Sequence, residues 1–183
     1  DTIATGNDTT PTLSGTTAAA PGSTVTLTIT DSAGVTQTVT AIVQADGTYS
    51  VEVPAELAEG EFTVNASVTD EAGNTANADA QGAIDVTAPT ISLNDPGING
   101  DATPTLSGLT DAVPGSTITL TVTDSAGVTQ TFTTTVLADG TFTVEVPNAV
   151  AEGTYSVTAE VTDGAGNTAQ ATASGDYDST SPS

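Results

Sequence analysis

The chain has 183 residues, a formal net charge of −23, and no Lys, Arg, His, Cys, Met or Trp. Without basic side chains it lacks the positive surface that nucleic-acid binding requires, and anionic membrane surfaces would repel it. The lack of cysteine and histidine excludes disulfide bonds and thiolate or imidazole metal sites, so side-chain metal ligands must be oxygen atoms.

Hydropathy predicts a folded chain that does not insert into a membrane. No stretch approaches the ~18 consecutive apolar residues of a membrane span, and no basic-then-apolar signal peptide is present. High net charge with 3% aromatic residues is typical of disordered chains. However, 36% of the residues are apolar and they follow a regular pattern, which favours a folded protein.

The sequence is a tandem repeat with a spacing of 93 residues. The segment TDSAGVTQT occurs at Thr30–Thr38 and again, letter for letter, at Thr123–Thr131. TPTLSG, PGST, ADGT, EVP and AGNTA each recur at the same spacing, so no insertion separates the two copies. Self-similarity at a fixed period predicts two consecutive copies of one structural unit.

Within each copy, apolar residues alternate with polar ones. In the first copy Val25, Leu27 and Ile29 point one way and the intervening threonines point the other way. This alternation predicts half-buried strands, and threonine suits their outer faces because it is β-branched and polar. In the second copy the predicted strands are Ile91–Leu93, Thr105–Gly108, Ser116–Thr123, Val128–Leu137, Thr141–Val146, Thr154–Thr162 and Thr168–Asp176.

Turn residues separate these strands. DSAG places Asp first and Gly fourth, as type I turns prefer, and the Asp-Gly pair of ADGT is favoured in tight hairpins. Seven short antiparallel strands in about ninety residues indicate an immunoglobulin-like sandwich. The sequence therefore predicts an all-β protein of two tandem immunoglobulin-like, seven-stranded antiparallel β-sandwich domains.

The repeat also predicts the domain boundaries. The first sandwich takes residues 1–84, a linker 85–90, the second sandwich 91–178, and the start of a further linker 179–183. The first strand of the first copy is either Thr2–Ile3 or absent, because Asp1–Asp8 is shorter than Asp85–Asp101. The segment Val35–Gln44 changes phase near Ile42, which predicts a bulge or bend there.

Strand count predicts that the aspartates gather at the two poles of each sandwich. Alternating strands return the chain to the same pole at every second turn. The pole of the second sandwich beside the linker should therefore collect Asp111, Asp139 and Asp163, and the first sandwich should turn its other pole toward that linker. The candidate metal ligands are Asp8, Asp31, Asp70, Asp85, Asp101, Asp111, Asp124, Asp139, Asp163 and Asp178.

Carboxylates gathered without a cation repel one another. Two unit charges about 4 Å apart repel by about 1 kcal/mol in water and about 4 kcal/mol at an effective dielectric constant of 20. Calcium, which takes oxygen ligands from carboxylates and carbonyls, would relieve this repulsion. The competing interpretation is that each aspartate is present for turn chemistry alone, and the spacing of an EF-hand is absent.

The motifs together resemble the bacterial immunoglobulin-like repeats of giant repeats-in-toxin adhesins. The resemblance rests on TPTLSG, PGSTVTLTITDSAG, ADGTYSVEVP, VTDEAGNTA and DVTAP, and it covers essentially the whole chain. It implies extender modules, strung in long arrays and rigidified by calcium at their linkers, that hold an adhesive domain away from a bacterial cell. It also implies type I secretion and an extracellular, cell-surface location.

The resemblance carries over to particular residues. The family's linker aspartate matches Asp85, with Asp178 as its equivalent 93 residues later, and the aspartate before AGN matches Asp70 and Asp163. Its remaining ligands have no assigned match. Asp101, Asp111, Asp124 and Asp139 are candidates through the pole argument alone.

Three functional classes follow. The first is a calcium-stiffened spacer, a monomeric rod whose partners are neighbouring repeats of the same chain, each module adding about 40 Å of reach. The alternative is an immunoglobulin-like module that itself binds glycan or a surface protein, although the sequence has no Trp, three Tyr and no long loop. An enzyme is not expected, because no His, Cys or Lys is present to act as base or nucleophile.

Overall fold

The computed structural model describes residues 2–181, which form two compact units, and the chain passes from the first to the second between Val86 and Thr87. The first unit contains β1 (Thr12–Thr16), β2 (Thr24–Thr30), β3 (Thr36–Ile42), β4 (Thr48–Glu52), β5 (Gly60–Thr69) and β6 (Thr75–Ile84). The second contains β7 (Ile91–Leu93), β8 (Gly97–Asn99), β9 (Thr105–Thr110), β10 (Thr117–Thr123), β11 (Thr129–Thr135), β12 (Thr141–Glu145), β13 (Gly153–Thr162) and β14 (Thr168–Tyr177). The predicted all-β fold is confirmed. None of the described residues belongs to a helix with the length and hydropathy needed to cross a bilayer.

In the second unit two sheets enclose the core. One sheet has the order β11-β10-β13-β14-β8 and the other β12-β9-β7. Their inner faces supply a buried cluster in which Phe142 and Tyr155 are the aromatic members. The remaining buried members are Leu106, Ala112, Ile118, Leu120, Val122, Val136, Val146, Val150, Val157, Ala159 and Val161.

The first unit has the same plan with fewer strands. One sheet has the order β3-β2-β5-β6, and β1 pairs with β4 in a two-stranded sheet. Phe62 is the aromatic residue of its buried cluster, and Tyr49 packs against that cluster while remaining partly exposed. The other buried members are Leu13, Val25, Leu27, Ile29, Ala41, Val43, Val53, Leu57, Val64 and Ile84.

The alternating pattern places the core residues as predicted. Val25, Leu27 and Ile29 of β2 are buried, whereas the threonines on either side of them are not. The bulge predicted near Ile42 is wrong, because β2 and β3 pair in unbroken register from Thr24↔Ile42 to Thr30↔Thr36. Ile42 instead lies on the outer face of the sheet with half of its surface exposed. An apolar residue at an outward position therefore looked, in the sequence, like a break in the alternation of apolar and polar residues.

Over residues 2–181 the number of strands differs from the expected seven, with eight in the second unit and six in the first. The extra strand is β8, which pairs in parallel with the end of β14 after the chain leaves β7 for the other sheet. In the first unit Thr2 and Gly6 make isolated parallel bridges to Gln81 and Ile84 at the equivalent place. The bridge from Gly6 to Ile84 corresponds to the pairing of Asn99 in β8 with Tyr177. Thr2 corresponds to Asp95, just before β8. Within residues 2–181, β1 pairs with β4 alone.

Glycine is required at position 108, where β9 pairs with β7. A Cβ atom at Gly108 would overlap the carbonyl oxygen of Ser92 and the ring of Phe142. By contrast, Gly164 in the turn between β13 and β14 has open space around it, and the equivalent position of the first unit is Glu71.

These two glycines predict opposite responses to the same substitution. Gly108→Ala should destabilise the second unit by about 1–3 kcal/mol, because a backbone oxygen must move to admit the methyl group. Gly164→Ala serves as the control and should leave stability unchanged. Urea denaturation of both variants measures the difference, and equal stabilities would contradict the close packing of β7 on β9.

Candidate functional site

The aspartates of the second unit lie at its two ends. Strand register places Asp111, Asp139 and Asp163 at one end, called here the proximal end, because β7 starts beside the end of β9 and β13 turns into β14 there. The opposite, distal end contains the turn at Asp124 and the segment at Asp178, whose N–H donates to the carbonyl of Asn99. Asp101 follows Asn99 and lies at that end also.

The first unit repeats this arrangement. Asp70 lies at its proximal end, in the turn between β5 and β6. Asp8, Asp31 and Asp85 lie at its distal end, where the N–H of Asp85 donates to the carbonyl of Gly6. The strand count of the sequence therefore assigns the aspartates to the correct ends of each unit.

Four of the candidates close hairpins through one carboxylate oxygen. In the turn after β2, Oδ1 of Asp31 accepts hydrogen bonds from the N–H groups of Ala33 and Val35, at 3.0 and 2.8 Å. Between these two donors lies Gly34, whose backbone has a φ of 77° that glycine adopts more readily than other residues. The equivalent double acceptance recurs at Asp70, Asp124 and Asp163.

Asp31 and Asp124 use their second oxygen as well. Oδ2 of Asp31 accepts from the N–H of Ala58 at 3.2 Å, and Oδ2 of Asp124 accepts from the N–H of Ala151 at 3.0 Å. The side chain of Asp31 is only 8% exposed. The N–H of Val35 lowers the pKa of Asp31 and the N–H of Ala151 lowers that of Asp124, and in both residues partial burial opposes the effect.

Asp70 and Asp163 bind an asparagine instead. The amide of Asn74 donates to Oδ2 of Asp70 at 3.0 Å, and the amide of Asn167 donates to Oδ2 of Asp163 at 2.9 Å. These side-chain hydrogen bonds are the main reason why the pKa of each aspartate is lowered. Asn167 is buried, and sequence reasoning missed its role although AGN occurs in both copies.

A second turn motif, Asp-x-Thr, also escaped the sequence analysis. In it one aspartate oxygen accepts from both the N–H and the hydroxyl of the threonine two residues later, as Asp139 does from Thr141 at 3.0 and 2.6 Å. The same pair of bonds occurs at Asp8, Asp46, Asp101 and Asp178. The recurring spacing of Asp and Thr was the signal that would have identified it.

Asp111 joins two segments of the chain at the proximal end of the second unit. Its Oδ1 accepts from the N–H of Thr90 at 2.7 Å, which lowers the pKa of Asp111. The N–H of Asp111 in turn donates to the carbonyl of Thr90. The amide of Asn167 lies 3.4 Å from the carbonyl of Thr87, so the start of the second unit is held against its own turns.

Within residues 2–181, no three acidic side chains converge in a way that would hold a metal ion. Each end of a unit brings aspartates to the same region, but the turns direct their oxygens toward backbone N–H groups. The side chains available to a metal all bind through oxygen, which suits a hard cation such as calcium. Calcium ligation by the ten aspartates remains a prediction.

Comparison with known proteins identifies the family. The model of the bacterial Ig-like domain matches residues 2–87 and again residues 86–178. The chain belongs to the bacterial Ig-like domain family. No curated protein sequence matches it.

Two solved structures of adhesins are similar to this chain. A tetra-tandem repeat from the extending region of a large adhesion protein is 39% identical over 94% of this chain, with a TM-score of 0.51. A Ca²⁺-stabilised adhesin that helps an Antarctic bacterium to reach out and bind ice is 29% identical over 97% of this chain, also with a TM-score of 0.51. The chain spans 46% of the length of each of these two structures.

The hydrogen bonds of Asp31 predict an acid-sensitive contribution to stability. Because its pKa in the folded state lies below the ordinary 3.8, this contribution is complete above that pH and disappears as the pH falls through the folded-state value. Asp31→Asn should therefore lower the melting temperature most at neutral pH, and the difference from the parent chain should shrink below pH 3.8.

The control is Glu71→Gln, which removes one negative charge from an exposed position of the same unit. Thermal melts of both variants from pH 7 to pH 2 separate the lost hydrogen bonds from the lost charge. A difference for Asp31→Asn that is constant across this range, or equal to that of the control, would contradict the role of its backbone bonds.

Proposed function

We propose that this chain is a pair of extender modules of a large bacterial surface adhesin. The observation that carries the proposal is the tandem repeat itself, which is 39% identical along 94% of its length to repeats from the extending region of a large adhesion protein. Successive near-copies add length without adding new chemistry. The modules act as a monomeric, extracellular spacer between the cell and a distal adhesive domain, and their partners are neighbouring repeats of the same chain.

The distribution of side chains supports a spacer. Large apolar side chains are mostly used in the two cores, and the outer faces of the long sheets consist mainly of threonine and other small polar residues. Strands of ten residues such as β5 and β13 extend about 33 Å, so each unit gives substantial reach for its mass. A surface of this kind offers few anchors for a tightly bound partner.

Calcium is the proposed stiffening element. It is supported by the charge of −23 with no basic residue, by the oxygen-only side-chain chemistry, and by similarity to a Ca²⁺-stabilised adhesin. Because no three carboxylates of the described residues converge, an ion at the end of a unit needs further oxygens, from backbone carbonyls, water or the adjoining repeat. Bound at the linker, it would offset repulsion between like charges and restrict bending.

The hydrogen bonds rank the proposed ligands. The weaker candidates are Asp31, Asp70, Asp124 and Asp163, because both oxygens of each already accept hydrogen bonds. Asp111 accepts the N–H of Thr90 through Oδ1, and Oδ2 is the oxygen that we propose for an ion. The other proposed ligands are Asp8, Asp85, Asp101, Asp139 and Asp178.

Calcium titration by calorimetry tests this proposal directly. Dissociation constants of roughly 10⁻⁴–10⁻³ M are expected for an extracellular module, with much weaker binding of Mg²⁺, which demands a stricter octahedral geometry. Chelation should lower the melting temperature and broaden the distribution of angles between units in small-angle scattering. Unchanged melting and scattering with chelator would overturn calcium stiffening while leaving the spacer role intact.

A matched pair of variants locates the ion. Asp85→Ala removes the linker aspartate, and Asp46→Ala removes an aspartate of the same Asp-x-Thr spacing from a hairpin. Asp85→Ala should weaken calcium binding and increase bending in scattering at saturating calcium, because it deletes a proposed ligand. Asp46→Ala should affect local stability alone, and equal effects of the two variants on bending would exclude Asp85 as a ligand.

A further inference from the structure

The two units differ at the end of β8, although their sequences are near-copies. The segment PGINGD at Pro96–Asp101 contains the one Asn-Gly pair of the sequence, Asn99-Gly100. The equivalent residues of the first unit, 93 positions earlier, are Gly6 and Asn7. A backbone nitrogen that belongs to glycine reaches the side-chain amide before it more easily than other backbone nitrogens, because no Cβ atom restricts the approach. The second unit therefore carries a reactive pair that the first unit lacks.

The peptide group between Asn99 and Gly100 presents its N–H at the edge of a sheet. The carbonyl of this group, which belongs to Asn99, accepts the N–H of Asp178 at 2.9 Å on the β14 side. Because the peptide is planar and trans, its N–H points away from its carbonyl and hence away from β14. β8 is the last strand of its sheet, and Gly100 is exposed. Solvent therefore reaches the proton on the nitrogen of Gly100.

The side chain of Asn99 folds back along the same stretch of backbone. Its Oδ1 accepts the N–H of Asp101 at 3.1 Å, which holds the side-chain amide beside the backbone of Gly100. The same N–H is placed to stabilise negative charge that develops on Oδ1 when a nucleophile attacks Cγ. The nucleophile and the carbon that it attacks are thus close together without movement of any strand.

The other residues that precede glycine with a side-chain carbonyl are less reactive. Asp46, Asp139 and Asp163 each stand before a glycine. The pKa of each is lowered, mainly by a side-chain hydrogen bond from a residue of its own turn, so each stays ionised. An ionised carboxylate resists attack by a nucleophile, whereas the neutral amide of Asn99 does not carry that charge.

We propose that Asn99 deamidates spontaneously in the folded chain and becomes isoaspartate or aspartate. The nitrogen of Gly100 gives its proton to hydroxide and bonds to Cγ of Asn99. The bond from Cγ to Nδ2 then breaks, and ammonia leaves with a proton from water, which restores the hydroxide. Water opens the resulting succinimide ring. Opening at Cγ gives aspartate, and opening at the backbone carbonyl gives isoaspartate.

Formation of isoaspartate would release the end of β8. In isoaspartate the main chain runs through Cγ, and the former backbone carbonyl of Asn99 becomes a carboxylate on a side branch. That carbonyl is the acceptor for the N–H of Asp178, so this hydrogen bond is lost from its present geometry. The equivalent bond of the first unit, from Asp85 to Gly6, cannot change in this way because glycine has no side chain. The reaction is independent of the spacer and calcium proposals.

Peptide mapping of the whole chain tests the reaction. The chain is incubated in calcium-free buffer at neutral and mildly alkaline pH and then cut with a protease that cleaves before aspartate. Isoaspartate leaves the fragment Asp95–Gly100 uncut with one amide replaced by a carboxyl group, and aspartate adds a cut before residue 99. The rate should rise in proportion to hydroxide, while Asn148, which precedes alanine, keeps its amide. An unchanged Asn99, or equal conversion of Asn148, would overturn the proposal.

A free peptide measures how far the fold shields the site. The peptide PGINGD reproduces Pro96–Asp101 without the sheet. The folded chain should convert within about tenfold of the rate of the peptide, because the N–H of Gly100 is open to solvent. A rate in the folded chain that is slower than this would show that β8 protects Asn99, and would overturn the proposal.

Gly100→Ala is the matched variant. A Cβ atom at Gly100 would lie 3.6 Å from the carbonyl oxygen of Asp178, an ordinary contact, and the equivalent residue of the first unit is Asn7. The variant should therefore fold, and conversion of Asn99 should slow by at least about tenfold because the new methyl group crowds the nitrogen. Conversion at the parent rate would contradict attack by this nitrogen.

Hydrogen exchange tests the release of β8. In the isoaspartate form the amide of Asp178 should exchange at least about tenfold faster than in the parent, and the amide of Asp85 should not change. Asn99→Asp adds the same charge but keeps the main chain, so exchange at Asp178 should stay as in the parent. Unchanged exchange at Asp178 in the isoaspartate form, or equal acceleration in Asn99→Asp, would overturn the release of the strand.

Discussion

Every charged side chain in this protein is negative, and backbone N–H groups stabilise the aspartates at its turns. No lysine or arginine is present to form an ion pair. Instead, single carboxylate oxygens accept two N–H groups in the hairpins of Asp31, Asp70, Asp124 and Asp163, and one N–H plus a hydroxyl in the Asp-x-Thr turns. Hydrogen bonds to the ionised form lower the pKa, so the charge itself becomes a stabilising element of each turn.

This constraint connects the turns to the proposed function. Aspartates that close turns necessarily lie at the ends of a sandwich, because turns do. Each unit therefore carries these aspartates at its two ends. The backbone satisfies hydrogen bonding at each carboxylate, but it does not neutralise the net charge. A divalent cation shared at the ends is the physical addition that would let many such units stand in a row.

Much of the fold follows from the sequence in physical terms. Alternation located the strands of both cores, and the 93-residue spacing located the repeat. The alternation of apolar and polar residues gave a wrong prediction at Ile42, where an exposed apolar side chain suggested a bulge. It did not reveal β8, because three residues are too few to show a period of two. The segment Thr2–Ile3, expected to be the first strand of the first copy or to form none, makes an isolated bridge from Thr2 to Gln81.

The candidate site was less predictable. Strand parity assigned each aspartate to an end of its unit, because parity depends on the number of strands crossed and not on side-chain detail. Hydrogen-bond partners depend on local turn geometry, so the bonds of Asp31 to Ala58 and of Asp163 to Asn167 were not foreseen. Ligation of a metal requires convergence of several oxygens, and no pattern along one chain specifies that convergence.

The most direct test of this account is an NMR titration of the aspartate carboxyl carbons in calcium-free protein. The account predicts that Asp31 and Asp124 titrate below 3.8, because backbone N–H groups hold their ionised forms in the folded chain without a metal. A pKa at or above 3.8 for both residues in the folded, calcium-free protein would contradict it.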